Sequence, residues 1–139
     1  MFSHVVIFWT DPAQPNATEE LIAGVNRGLR KRAAWGQSRT MFSHVVIFWT
    51  DPAQPNATEE LLAGANQYLK PIPGVLSFHV GKMVASHRPV VDQSYQVALN
   101  LIFPSKQAQD DYQVHPLHVE FVEKIFKRVC KKVSIYDFE

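Results

Sequence analysis

Two short stretches, residues 42–49 and 95–103, restrict the fold most, because both are apolar on both faces. Side chains along a strand alternate between the two sides of a sheet, so each stretch divides into two sets. In the first, Phe42, His44, Val46 and Phe48 share one face; Ser43, Val45, Ile47 and Trp49 share the other. In the second, Tyr95, Val97, Leu99, Leu101 and Phe103 oppose Gln96, Ala98, Asn100 and Ile102. An antiparallel sheet with helices on one side ordinarily turns a polar face to water. Here the second face also calls for cover, and the helical segments suffice for only one. The economical cover is a second copy of the same sheet, so a homodimer is expected. At about 25 cal/mol per Å², covering several hundred Å² contributes on the order of 10 kcal/mol before association costs.

A duplication divides the chain. Residues 1–21 recur unchanged as residues 41–61, and the likeness fades through 22–29 against 62–69. A structural repeat recurs as a whole supersecondary unit with drifted sequence. This copy is one strand and part of one helix, without drift. We therefore expect a duplicated, peripheral segment over residues 1–40 and a globular domain over residues 41–139. Two identical strand sequences then compete for one slot in the sheet. The second copy should take it, because its helix runs on through Tyr68 and Leu69 into the turn Pro71-Ile72-Pro73-Gly74. The first runs into Arg27, Gly28, Arg30, Lys31 and Arg32. A glycine there costs about 1 kcal/mol of helix propensity against alanine.

From Met41 the pattern predicts a strand over 42–49, a loop with two prolines, and a helix capped by Asn56 with Glu59 in a capping-box position. Pro71 ends that helix. Strands follow at 75–84, with Gly81 as a bulge position, and at 95–103. Helices at 104–114 and 116–130 and a strand at 133–138 close the domain. The order β-α-β-β-α-β is the split βαβ arrangement, so the fold class is α+β, ferredoxin-like, with an antiparallel four-stranded sheet.

Composition excludes several functions. The formal net charge of +1 lacks the Lys and Arg excess that non-specific nucleic-acid binding needs. No apolar run approaches a membrane span of roughly 20 residues, so no membrane partner is expected. The one cysteine, Cys130, permits no intrachain disulfide and fits a reducing compartment, and a cytoplasmic location is expected. Cys130 is placed in the last turn of the final helix, as a packing residue beside lysines. The basic run Lys124, Lys127, Arg128, Lys131 and Lys132 reads as a solvated face.

Chemistry concentrates in Asp111-Tyr112-Gln113-Val114-His115-Pro116-Leu117-His118-Val119-Glu120-Phe121. Pro116 disfavours helix at His115 and suits the first turn of a new helix, so the stretch should be helix, kink, helix. Tyr112 and His115 stand three residues apart, as do His115 and His118, and each pair can share a face across a mild kink. His118 heads the apolar row Val122, Ile125, Val129, so it points inward; His115 suits a role at the kink. The other polar residues expected to face a ligand are His44, His79 and Asn100. A histidine exchanges protons near neutral pH, and a tyrosine hydroxyl polarises a carbonyl oxygen. His118 and Tyr112 are the candidate catalytic pair; His44, His79, Asn100 and His115 are candidate ligand-binding residues. Together they suit proton abstraction beside a carbonyl. His115-x-x-His118 with Glu120 falls short of a transition-metal ligand set, so no metal site is predicted. No phosphate-binding glycine loop is present and no organic cofactor is called for.

Four segments resemble the stress-responsive dimeric α/β barrel family, often called Dabb. They are Ser43-His44 opening the first strand, Ile72-Pro73-Gly74, the Tyr112-to-Phe121 pattern, and the closing Ile135-Tyr136-Asp137-Phe138. The resemblance covers residues 41–139, and Tyr-x-x-His-Pro-x-His is its most specific part. It implies a homodimer whose sheets close into a barrel, with a pocket between sheet and helices. One plant branch consists of polyketide cyclases that perform an aldol closure with a histidine and a tyrosine, which here correspond to His118 and Tyr112, with His44 as a further pocket residue. Trp49, where the family would carry a charged residue, and the duplicated 1–40 segment depart from it. The expected function is a cofactor-independent acid–base enzyme of cyclase, isomerase or lyase type, acting on a small carbonyl or polyketide-like compound. The alternative is a non-catalytic, stress-associated dimer that binds a small ligand.

Overall fold

The computed structural model describes residues 2–29 and 41–139. The chain divides into two compact units, Phe2–Ser38 and Arg39–Glu139. In the first, residues 2–10 form no strand, and a helix, α1 (Ala17–Leu29), follows a turn. Residues 30–40, which carry the basic stretch after Leu29, lie outside the described residues.

The second unit begins with β1 (Phe42–Thr50) and α2 (Ala57–Gly64), which continues as a π-helical turn, Ala65–Leu69. Then come β2 (Ser77–Lys82), β3 (Val97–Phe103) and α3 (Lys106–Val114). The last helix, α4 (Pro116–Phe121), runs on through a π-helical turn, Val122–Phe126, and a final turn, Lys127–Val129, into β4 (Cys130–Phe138). The four strands form one antiparallel sheet in the order β2-β3-β1-β4. This is the α+β, ferredoxin-like arrangement expected from the order of elements.

Pairing fixes which side chains share a face. Phe42, Val46 and Phe48 lie opposite Phe103, Leu99 and Val97, and all are buried. They join Leu61, Ala65 and Leu69 of α2 and its continuation and Tyr112, Phe121 and Val129 of the later helices in one core. The helices therefore cover this face. The other carries Ser43, Val45, Ile47 and Trp49 of β1, with Ile102, Asn100 and Ala98 beside them on β3 and Tyr136 and Phe138 on β4. It is largely apolar on β1, and on β4 Ser134 and Lys132 interrupt it opposite Ile47 and Trp49.

Several local expectations are corrected. Asn56 makes no side-chain cap; its carbonyl accepts from Glu60 N instead, and Asp51 Oδ1 organises the preceding turn by accepting from Ala53 N. Ser105 does cap α3, accepting from Ala108 N at 3.2 Å. Gly81 pairs in register with Ala98, and the bulge lies at Trp49/Thr50, opposite Lys132 and Cys130. Cys130 begins β4 rather than ending a helix, because the chain leaves helical geometry there (φ −110°, ψ 138°). Burial pushes its thiol up to about 12, so it is a packing residue with little thiolate character. Gly74 closes the Pro-rich turn with φ +91°, which a side chain would strain.

Gly64 lets α2 approach the last helix. A Cβ there would stand 2.9 Å from both Cγ1 and Cγ2 of Ile125. Gly64→Ala should cost about 1–3 kcal/mol by overpacking, read from urea unfolding. Ile125→Ala in the same chain should recover part of that loss; strictly additive losses would show that the contact is not the cause.

Candidate functional site

The kink at Pro116 positions the site. Ser105 starts α3, and Pro116 stops it at Val114 by forcing His115 into extended geometry (φ −63°, ψ 137°). His115 Nδ1 then accepts from Leu117 N at 3.2 Å, so His115 caps α4. The chain turns there, and residues from the two helices meet: the rings of Tyr112 and His118 pack edge to face, with centroids 5.1 Å apart. Phe103 of β3 packs on Tyr112 in the same manner, at 5.2 Å.

Tyr112 is buried, and its hydroxyl has no hydrogen-bond partner among the described residues. Burial raises its pKa, so it stays a neutral O–H donor at physiological pH. The pKa of His118 is lowered, first by burial and then by the coulombic influence of the nearby His44. His118 is therefore a neutral imidazole at pH 7, in the state that accepts a proton.

His44 reaches the same region from β1, on the helix-covered face, and is 3% exposed. Its sheet neighbour Asp137 on β4 holds it, with Nδ1 2.5 Å from Asp137 Oδ1. An imidazole that donates from Nδ1 leaves Nε2 as an acceptor. The side-chain nitrogen of Gln113 stands 3.5 Å from that Nε2, which is consistent with this tautomer. Tyr112, Gln113 and His118 from the kinked helices thus converge with His44 and Asp137 from adjacent strands.

His79 and Asn100 lie elsewhere. They pair with each other across β2 and β3, and Asn100 also pairs with Val45, on the face away from the helices. Sheet parity separates them from His44, whose neighbours are Leu101 and Asp137. Asp137 and Gln113 were not singled out in the sequence. The parity of β4 relative to β1 was the missing signal, and it exists only once register is known. No group of three or more His, Cys, Asp or Glu residues suited to a metal ion occurs among the described residues.

Residues 42–139 match the stress responsive A/B barrel domain, and the chain belongs to that family. A solved protein from Arabidopsis thaliana is 30% identical, with a TM-score of 0.56 over 72% of this chain and 94% of its own. A dimeric protein of unknown function from Bacteroides fragilis, with a ferredoxin-like fold, is 24% identical, with a TM-score of 0.52 over 71% of this chain and 95% of its own. A hydroxynitrile lyase from Passiflora edulis shares the fold at 14% identity, with a TM-score of 0.62 over 73% and 94% of the two chains. No curated protein matches the chain. No helix among the described residues is long and apolar enough to cross a membrane.

The lowered pKa of His118 has a consequence for stability. The unfolded chain takes up this proton near pH 6.5, whereas the folded chain takes it up only at lower pH. Between these values the unfolded state binds more protons, so folding stability falls as pH drops through about 6.5 and levels off below the folded value. Urea midpoints measured from pH 8 to pH 5 should show this decline, and His118→Asn should flatten it.

Proposed function

We propose that the protein is a cofactor-independent acid–base enzyme acting on a small carbonyl compound, with His118 as base and Tyr112 as hydrogen-bond donor. One observation carries this reading: a buried tyrosine hydroxyl without a partner among the described residues, beside a neutral histidine. An unpaired buried hydroxyl costs stability unless something else repays it. A substrate carbonyl oxygen is a suitable acceptor. Tyr112 O–H would donate to that oxygen while His118 removes a proton from the adjacent carbon, and the enolate charge would rest against the phenol. In an aldol closure the enolate carbon then bonds to a second carbonyl carbon, and His118 returns its proton to the new alkoxide. His44, oriented by Asp137, faces the same substrate, and His115 supports the kink.

Tyr112→Phe should lower turnover of such a substrate by at least about 100-fold while leaving thermal stability unchanged or raised, because the deleted hydroxyl has no partner among the described residues. His118→Ala should abolish turnover and keep the circular dichroism of the parent. A Tyr112→Phe variant with full activity would remove the phenol from the mechanism.

The same reading includes a homodimer built on the face away from the helices. The apolar set Ile47, Trp49, Ile102, Tyr136 and Phe138 supports it, as does the dimeric description of the Bacteroides fragilis relative. Sedimentation velocity at micromolar concentration should give a dimer; a monomer would refute it. We also propose that residues 41–139 fold without the duplicated segment, so a chain beginning at Met41 should be soluble and as stable as the parent.

A further inference from the structure

Two copies of one sequence have different environments in this chain. Phe42, Val45, Val46 and Phe48 are 5%, 2%, 5% and 4% exposed in β1. Their counterparts Phe2, Val5, Val6 and Phe8 are 73%, 38%, 51% and 57% exposed. The slot between β3 and β4 accepts this sequence, as β1 shows at every paired residue. Side-chain contacts along the strand cannot distinguish the copies. The helices that follow can, at a few positions. Leu21 and Gly24 match Leu61 and Gly64, so the first copy keeps both the buried leucine and the glycine that admits Ile125. Val25 stands where Ala65 is 1% exposed in the core, and would overpack it. Gly28 stands where Tyr68 packs against the core and lies under the Lys124 ammonium.

We propose that the chain has two competing frames, a major one with residues 42–69 in the sheet and helix layer and a minor one in which residues 2–29 replace them in the same chain. The two frames share β2, β3, β4 and the kinked helices, and both place a histidine, His44 or His4, opposite Asp137. The bias between them combines Val25 against Ala65 and Gly28 against Tyr68 with the direct run of the second copy into the Pro71–Gly74 turn. The first copy is thus a built-in competitor for the central strand, and the sheet can be re-formed around either copy.

The test is a disulfide that only the minor frame permits. Ser43 pairs with Phe138, so in the minor frame Ser3 would take that place. Strand-paired residues lie within disulfide reach. In a Cys130→Ser background, Ser43→Cys with Phe138→Cys is the positive control, and Ser3→Cys with Phe138→Cys is the probe. Under reversible oxidation the probe should give a low yield of intrachain bridge. Val25→Ala with Gly28→Tyr should raise that yield roughly tenfold, and Ala65→Val with Tyr68→Gly should raise it further. Absence of the intrachain bridge in all these variants, with the control formed, would overturn the proposal. A bridge formed only between chains would also overturn it, by showing exchange between molecules instead.

Discussion

The central position of β1 is the constraint on which the rest depends. It pairs with β3 on one side and β4 on the other, and both pairings are antiparallel and in register along almost its whole length. Because its side chains alternate strictly, this register decides the role of every residue in it. Phe42, Val46 and Phe48 enter the core beneath the helices, and His44 enters with them. Ser43, Val45, Ile47 and Trp49 go to the opposite face. A slip of one residue would bury Ser43 and turn His44 away from Asp137. The hydrophobic core and the His44–Asp137 contact are therefore secured by the same pairing.

The second constraint is the kink at Pro116, which links local chemistry to the site. Proline denies His115 a helical conformation, and the histidine caps the following helix. That geometry brings Tyr112 and His118 into ring contact, although one precedes the kink and the other follows it. The environment then divides their roles. Burial raises the pKa of the phenol and lowers that of the imidazole, so a protonated phenol and a neutral imidazole stand in ring contact. Each is the ordinary state of its residue type at pH 7, and burial reinforces both.

Much of this was legible in the sequence. The strand faces of β1 and β3, the order of elements and the helix-kink-helix over Tyr112 to Phe121 all follow from periodicity and one proline. Grouping His79 and Asn100 with His44 was not supported by the fold, since cross-strand pairing puts those two on the other side of the sheet. Asp137 and Gln113 came forward only in three dimensions. Asp137 meets His44 because β4 returns beside β1 from the far end of the domain, and no spacing in the sequence encodes that meeting. Cys130 shows the same limit at a boundary: helix and strand compete there, and pairing with β1 decides for strand.

The duplicated segment separates the two kinds of information within one chain. In both copies the turn is the same: Ala13 N donates to Asp11 Oδ1 at 2.9 Å, and Ala53 N to Asp51 Oδ1 at 3.0 Å. Thr10 and Thr50 reach Thr18 and Thr58 alike, and a helix begins at Ala17 and at Ala57. These features need only neighbours in sequence, so the sequence by itself determines them. The preceding strand does not recur. Phe42–Thr50 is a strand and residues 2–10 are not, although the residues are identical. A strand satisfies its backbone and buries its side chains only against partners far away in the chain. Only the tertiary structure, by offering β3 and β4 to one copy, decided which became β1.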